Sequence, residues 1–524
     1  MRAVGALMLA ACVALPAAAQ PKHGGTINML IHPEPTSLVA IATTAGPSVL
    51  VSAKILEGLL TYDFALNPKP QLAQSWSVSP DGKVYTFKLR QGVKWHDGRD
   101  FTSADVAYSV LLLKEIHPHG RGIFSTVQEV KTPDAHTAEI VLSAPAPYLI
   151  HSLAGSESPI VPKHIYEGKR FDTNPANIAP IGTGPFLFKE WVRGSHIVYE
   201  RNPNYWDKPK PYVDRLIVRF YPDAGGRVAA IETGNIDLAP MTPVSVNELN
   251  RLRALPNIRF DDNGYQYFNY FARLEFNLER DQLKDPKVRH AIAHAIDRQA
   301  ILRLAWFGYG KMMDGPITPT LAMFHTKDVS TYPFDPKKAE QLLDEAGYKR
   351  GANGVRFKMN IEYIPNALGD TYKRTAEIIK QYLANVGIEL TIRSSDFSAY
   401  LKRVYTDRDF DMMINNMAVM FDPTIGIQRL YWSKNIKRGV PFSNGAAYAN
   451  PEVDTIFEEA ATEGDVAKRK ELFVRLQQII TRDLPDLTLM ELQHVTIYNP
   501  KVKNHTVTAD GVNGNLAEMY IESK

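Results

Sequence analysis

The chain contains 524 residues, of which 44% are hydrophobic. This length exceeds what one hydrophobic core usually supports, so we expect at least two folding units. Lys and Arg number 60 against 57 Asp and Glu, which leaves a net charge of +3. A balance this close to neutral excludes the broad basic surface that is typical of proteins that bind nucleic acid or anionic membranes.

The first residues have the pattern of a signal peptide. Arg2 precedes an apolar run that ends in three alanines, the last of them Ala19, as is typical of signal peptidase sites. We predict that residues 1–19 are removed and that the protein is exported to the periplasm in soluble form. The alternative is a lipid anchor, because the only cysteine, Cys12, lies in a pattern similar to a lipoprotein attachment box. Without residues 1–19 the chain has no thiol, and therefore no disulfide and no cysteine metal ligand.

The elements predicted along the chain alternate between strands and helices. Residues 84–90 alternate apolar and polar side chains, as a half-buried strand does. Thr102 and Asp105 form a capping box that opens a helix. Asp-Pro pairs open two further helices, one of them at Asp285, and a later helix ends at Gly387 just before the strand "IELTI". The chain is therefore predicted to be of the α/β class.

The character of the sequence changes near residues 270–286. The first half is rich in strand patterns, whereas the second half is rich in helix patterns. Internal repeats and flexible linkers are both missing from the sequence, so we expect the folding units to be joined by short segments.

Histidines supply the candidates for catalysis or metal binding. His96 and Asp97 have the residue types of a hydrolase base and its orienting acid. Adjacent side chains seldom face each other, however, and Asp-Gly is a turn signal, so we interpret the pair as part of a turn. His290 and His294 share one helix face, as in some zinc sites, but Ala291 replaces the expected glutamate. We predict a protein that is not an enzyme and has no cofactor, and we keep a secreted metal-dependent hydrolase as the alternative.

A set of segments carries a resemblance that covers nearly the whole chain after residue 19. They are, in chain order, "PQLAQSWSVSPDGKVYTFKLRQGVKWHDGRDFTSADVAYS", "IGTGPFLFKEW" with "YERNPNYWD", "AAIETGNIDLA", "VRHAIAHAID" and "FDPKKAEQLLDEAGY". In kind and order they resemble family 5 of the bacterial extracellular solute-binding proteins, the peptide- and nickel-type receptors that deliver solutes to ABC importers. The resemblance implies a monomeric periplasmic receptor for a short peptide or peptide-like solute. Its implied partners are a permease and cytoplasmic ATPase subunits.

The resemblance also implies the architecture, which is a two-lobed α/β periplasmic binding protein of type II, cluster C. The chain crosses twice between the lobes, an accessory subdomain is inserted in the first lobe, and the solute is enclosed when the lobes close. The implied boundaries are 1–19 for the signal peptide, 20–62, 185–276 and 493–524 for lobe I, 63–184 for the accessory subdomain, and 277–492 for lobe II.

The solute-facing positions of the family are carried over by their place in the sequence. The segment "TTAGPS" precedes "ILEGL" at the family's distance, so Thr44, Ala45 and Gly46 are expected to form one wall of the cleft. The segment "FDMMINNMAVMFDP" matches a strand and loop in which peptide receptors have W-x-x-D before an acidic residue and proline. Asp422 and Pro423 are that last pair here.

This chain departs from the family pattern in front of Asp422. Asn416 stands where the Trp is usual, and Val419 stands where the Asp is usual. In peptide receptors that Asp binds the α-ammonium of the peptide through a charge-assisted hydrogen bond. An ammonium buried against Val419 would lose its counter-charge, at a cost of several kcal/mol. The departure favours an alternative ligand class, a non-peptide organic solute such as an opine, a sugar derivative or an aromatic acid.

Other side chains are expected to line the cleft. Asn415 and Asn416 offer neutral donors and acceptors, and Met417 offers an adaptable apolar surface. Glu491 lies near the second crossing, in a region where peptide receptors present aromatic residues to the solute. We expect Glu491 either to bind a cationic group or to cap a solvated edge.

Overall fold

A computed structural model describes residues 21–365 and 370–522. The predicted signal peptide and Cys12 lie outside these residues. The strands are, in chain order, β1 (Thr26–Ile31), β2 (Leu60–Tyr62), β3 (Pro68–Pro70), β4 (Ala73–Val78), β5 (Val84–Leu89), β6 (Val127–Asp134), β7 (Thr137–Leu142), β8 (Phe186–Val192), β9 (His196–Arg201), β10 (Arg215–Phe220), β11 (Leu238–Ala239), β12 (Arg259–Asp261), β13 (Tyr270–Phe276), β14 (Gly310–Lys311), β15 (Phe357–Tyr363), β16 (Ile388–Arg393), β17 (Met412–Ala418), β18 (Asp486–Leu492), β19 (Thr496–Tyr498), β20 (Val502–Lys503) and β21 (Tyr520–Ile521).

The α-helices pack around these strands. They are α1 (Gly46–Ser52), α2 (Ser103–Ile116), α3 (Gly120–Ile123), α4 (Lys163–Tyr166), α5 (Ala224–Glu232), α6 (Val246–Arg253), α7 (Asp281–Lys284), α8 (Pro286–Ala295), α9 (Arg298–Leu304), α10 (Pro336–Glu345), α11 (Thr371–Asn385), α12 (Phe397–Leu401), α13 (Pro423–Gly426), α14 (Gln428–Tyr431), α15 (Pro451–Thr462) and α16 (Val466–Asp483).

The first lobe is built on a sheet with the strand order β12-β19-β11-β1-β10-β9-β8. Strand β1 pairs in parallel with both β10 and β11, while the outer pairs are antiparallel. The side chains of Met29 and Leu30, which point to opposite faces of β1, are both fully buried. This central strand is therefore covered on both sides, as parallel strands usually are.

The second lobe is built on a sheet with the strand order β14-β18-β13-β17-β15-β16. Strand β13 lies at its centre and pairs antiparallel with β17 and β18. The structure differs here from one expected boundary, since the second part of lobe I is predicted to extend to Phe276. The chain instead leaves the first sheet after β12 and has entered the second lobe by Tyr270.

The accessory subdomain is a separate sheet with the strand order β4-β5-β7-β6. Strand β5 confirms the alternation predicted for residues 84–90, and α2 begins with the predicted capping box of Thr102 and Asp105. The C-terminal end of the subdomain is attached to the first lobe, since the Gly184 N–H donates to the Ile55 carbonyl at 2.9 Å.

The other helix signals are confirmed with one difference. The Asp285 side chain caps α8 by accepting from the Lys287 N–H, and Gly387, with φ of 86°, separates α11 from β16. The pattern after Asp285 predicts one continuous helix, whereas the structure has two. The break occurs because Asp297 caps α9 through the Ala300 N–H. Within residues 21–365 and 370–522, every helix is too short or too polar to cross a membrane.

The lobes are joined by two neighbouring crossings, formed by residues 262–269 and 493–495. The crossings are held to each other and to the first lobe by side chains. Gln493 Nε2 donates to Asp262 Oδ2 at 2.6 Å, and the hydroxyls of Tyr265 and Thr496 lie 2.6 Å apart. A rotation of one lobe against the other must therefore occur around this pair of segments.

Candidate functional site

A cavity of about 240 Å³ lies between the two lobes. Both lobes and the second crossing contribute to its wall. The lining residues are Ile31, His32, Gly46, Pro47, Leu50, Pro240, Met241, Thr242 and Pro243 from the first lobe, Tyr270, Asn416 and Leu492 from the second, and His494 from the crossing. This is the place where a solute would touch both lobes at once.

The first-lobe wall lies beyond the carboxyl ends of two neighbouring parallel strands. His32 follows the last residue of β1, and residues 240–243 follow β11. In open α/β sheets the crevice outside the carboxyl ends of parallel strands is the usual ligand site. These residues are not among those predicted to face the solute, although the strand pattern before His32 is a signal for them.

The segment 240–243 is held in a strained turn. Met241 and Thr242 have φ of 60° and 51°, in the left-handed region that costs energy for residues with a side chain. The turn is fixed from the crossings, because the Met241 N–H donates to the Tyr265 hydroxyl and the Thr242 N–H to the Val495 carbonyl, each at 3.0 Å. The cavity wall is thus connected directly to the segments that join the lobes.

The second part of the first-lobe wall is the start of α1. Gly46 and Pro47 line the cavity, and the predicted residues Thr44 and Ala45 precede them directly in the chain. Thr44, Ala45 and Gly46 are all exposed. Of the three predicted residues, Gly46 lines the cavity, whereas Thr44 and Ala45 are not among the lining residues.

The cavity wall contains no Asp, Glu, Lys or Arg among the residues that line it in the described part of the chain. Its two histidines, His32 and His494, are the side chains that could carry a positive charge. Burial lowers the pKa of His494 to about 4, and burial and then Arg227 lower that of His32. Both rings are therefore favoured in their neutral form near pH 7, and the wall is electrically neutral.

Asn416 is the predicted second-lobe residue that reaches this cavity. Its side chain is half-buried on β17, and its Oδ1 accepts a hydrogen bond of 3.0 Å from the Tyr372 hydroxyl on α11. Neighbouring Tyr270 on β13 is likewise half-buried and lines the same cavity. Asn416 offers an amide that is held in place by the helix behind it.

Asn415 does not face the solute cavity, contrary to the expectation from the sequence. Successive side chains of a strand point to opposite faces, and Asn415 points to the face away from Asn416, where it is fully buried. Its Oδ1 accepts from Arg273 Nε at 3.1 Å, and its Nδ2 donates to Glu275 at 3.3 Å. Its hydrogen-bonding groups are used by a buried charge cluster, which we define as Arg273, Glu275, Asn415 and Asp486.

The charge cluster holds two carboxylates against one guanidinium. Arg273 donates to Glu275 and, at 2.8 Å, to Asp486 Oδ2. Burial, which the guanidinium only partly offsets, raises the pKa of Glu275 to about 7, and burial likewise raises that of Asp486. Glu275 Oε1 has no hydrogen-bond partner within residues 21–365 and 370–522.

Asp422 also differs from its expected role. It is fully buried, caps α13 by accepting from the Thr424 N–H, and receives two hydrogen bonds from Arg469 at 2.6 and 2.7 Å. Its carboxylate is therefore part of a buried bidentate ion pair. Met417 and Val419 are buried as well, at 2% and 0% exposure, so they do not form part of the cavity wall described above.

Glu491 lines a second, smaller pocket of about 50 Å³. Tyr270, Leu492 and His494 line both this pocket and the larger cavity, so the two spaces are adjacent. Glu491 is only 4% exposed, and its Oε1 accepts from the Thr320 hydroxyl.

The histidine pairs have structural partners. His96 lies in the predicted turn, where its Nε2 donates to the Gly184 carbonyl at 3.0 Å, while Asp97 bonds to His164 at 2.7 Å. The rings of His290 and His294 donate at 2.8 Å to separate backbone carbonyls. Throughout residues 21–365 and 370–522, groups of three or more His, Cys, Asp or Glu side chains suited to a metal ion are absent.

Comparisons with known proteins agree with the two-lobed architecture. The family model described as "Bacterial extracellular solute-binding proteins, family 5 Middle" matches residues 67–439. The chain is 29% identical to the dipeptide-binding protein of Escherichia coli (strain K12) over 465 residues, which cover 84% of this chain and 83% of that protein.

Two solved structures are similar over almost the full length. One is the periplasmic binding protein DppA from Helicobacter pylori in complex with the peptide STSA, with a TM-score of 0.79, 27% identity and coverage of 96% of this chain and 99% of that one. The other is AgaA from A. tumefacien R10 in complex with agropinic acid, with a TM-score of 0.77, 27% identity and coverage of 95% and 99%.

Proposed function

The chain belongs to family 5 of the bacterial extracellular solute-binding proteins, and from this premise we propose that it is the periplasmic receptor of an ABC importer. It captures a short peptide or peptide-like solute by closing its two lobes, and it delivers the solute to a permease with cytoplasmic ATPase subunits. It acts as a monomer and does not change the solute covalently. The relatives that bind a dipeptide and the peptide STSA support this assignment.

The observation that carries the proposal is the wall of the 240 Å³ cavity. Its residues come from both sheets and from the second crossing, so a bound solute gains contacts that only the closed arrangement offers. A ligand shifts a conformational equilibrium by its difference in affinity for the two states. A solute in this cavity therefore favours closure, and closure is the signal that a permease can recognise.

The lining favours a neutral, polar part of the solute. Asn416 provides an amide donor and acceptor, which matches the amide groups of a peptide. Val419 stands at the position where the family's peptide receptors carry an acidic residue, and its N–H donates to the Asn269 carbonyl at 2.9 Å. The α-ammonium of a peptide would find no carboxylate at this position.

The neutral wall also favours a second candidate, a non-peptide organic solute. Its support is the same lining without charged side chains, together with the similarity to AgaA in complex with agropinic acid. A peptide presents backbone amides that a non-peptide organic acid lacks. Comparing the binding of dipeptides with that of organic acids therefore separates the two candidates.

Calorimetry and small-angle scattering test the proposal. We expect dipeptides to bind to the purified protein and to reduce its radius of gyration, and Asn416→Ala to weaken binding roughly tenfold, the loss of one well-placed polar contact. The matched control is Asn257→Ala, an exposed position in the loop after α6, which should bind normally. An unchanged scattering profile with a bound solute, or accumulation of a turnover product, would refute the receptor proposal.

A further inference from the structure

The carboxylate of Glu491 is buried and incompletely partnered. The residue is 4% exposed on β18, and its Oε1 accepts from the Thr320 hydroxyl. Its Oε2 has no hydrogen-bond partner within residues 21–365 and 370–522. A buried carboxylate oxygen without a partner is costly, so a site of this kind indicates a missing donor.

The surroundings of Glu491 fit a small cation. The pocket has a volume of about 50 Å³, which exceeds the roughly 30 Å³ that a water molecule occupies in the liquid and so has room for one ammonium group. Four ring side chains line it, those of Tyr265, Phe268, Tyr270 and His494, with the His494 centroid 5.8 Å from Tyr265 and 5.5 Å from Tyr270. Aromatic faces stabilise a cation beside them.

The place of this pocket connects it to the solute cavity. Tyr270, Leu492 and His494 line both spaces, and His494 belongs to the second crossing. The two spaces are therefore adjacent, and a short cationic arm on a solute in the cavity would point toward the pocket of Glu491. Lys311 is the competing charge, because it stands opposite Glu491 in the register of β14 and β18 and is exposed.

We propose, resting on the receptor function above, that Glu491 is the counter-charge for an ammonium group of the solute, in place of an acidic residue at the position of Val419. The receptor then prefers solutes that combine a neutral polar body with one ammonium group. That ammonium comes from one of two sources, the α-amino group of a peptide or an amine on a side chain.

A panel of probes separates the two sources. The probes are Lys-Ala, norleucyl-alanine, and the N-acetylated form of each. Norleucine has the lysine side chain without its ammonium group, so that the chain ends at the Cε methyl. Calorimetry should show that acetyl-norleucyl-alanine, which has no ammonium, binds at least tenfold more weakly than the best probe. Tighter binding of acetyl-Lys-Ala than of acetyl-norleucyl-alanine identifies a side-chain amine, and tighter binding of norleucyl-alanine than of its acetylated form identifies the α-amino group.

Two variants test whether Glu491 is the origin of this preference. Glu491→Gln keeps an acceptor for Thr320 and should abolish the tenfold preference, whereas Lys311→Gln removes the competing charge and should increase it two- to fivefold. If Glu491→Gln does not fold, an unchanged preference in Lys311→Gln overturns the role of Glu491.

The outcomes separate this inference from the function on which it rests. Equal binding of charged and uncharged probes, or a preference that persists in Glu491→Gln, overturns the role of Glu491 and leaves the receptor function intact. Failure of all four probes to bind overturns the peptide-like ligand class itself, and the inference with it.

Discussion

Glu275 in the buried charge cluster makes the stability of the second lobe depend on pH. Burial raises its pKa from 4.5 to about 7, so between these values the folded protein keeps a proton that the unfolded chain has released. The free energy of unfolding then falls as pH rises through this window. At about 1.36 kcal/mol per pKa unit, the loss attributable to Glu275 reaches roughly 3 kcal/mol by pH 8.

Glu275→Gln removes this dependence, because glutamine resembles the protonated acid and leaves Arg273 paired with Asp486. Urea denaturation followed by tryptophan fluorescence should give similar unfolding free energies for wild type and variant at pH 4.5. At pH 8 the variant should be more stable by up to about 3 kcal/mol. The control variant Glu345→Gln changes an exposed residue. Its unfolding free energy should differ from that of the wild type by the same amount at both pH values. Parallel pH profiles for wild type and Glu275→Gln would refute the reasoning.

Two further changes test the loop that follows β17. Arg469→Met leaves the Asp422 carboxylate buried without its partner, so we expect a loss of about 3–5 kcal/mol in urea denaturation. Adding Asp422→Asn should recover part of that loss, and a full loss in the double variant would contradict the ion-pair explanation. Gly426→Ala would place its Cβ 1.8 Å from the Val419 carbonyl oxygen, so we expect a clearly lower melting temperature; an unchanged melting temperature would show that the loop adjusts freely.

Local signals in the sequence predicted local structure well. The Thr102–Asp105 capping box and the Asp285 cap involve residues within a few positions of each other, and the structure contains both. The alternation before Arg90 likewise reports burial on one face of a strand. Such signals are reliable because the interactions that decide them lie inside a single element.

Features that depend on distant partners were predicted poorly. The sequence pattern places strand β13 in the wrong lobe because its neighbours, β17 and β18, lie more than a hundred residues later in the chain. Asn415 and Asn416 are adjacent and chemically identical, and only the register of β17 in the sheet decides which one enters the cleft. The sequence likewise holds no sign that Asp422 pairs with Arg469.

The contact between Ile55 and Gly184 gives the accessory subdomain the character of a module. More than a hundred residues leave the first lobe and return to it where the Gly184 N–H donates to the Ile55 carbonyl at 2.9 Å, and added side-chain atoms at Gly182 and Gly184 would collide with the Ile55 carbonyl at 1.9 and 2.6 Å. The free energy of closing a loop changes only slowly with its length. Evolution can therefore enlarge, trim or exchange the whole insert while the host sheet keeps its strand pairing, provided that small residues remain at the junction.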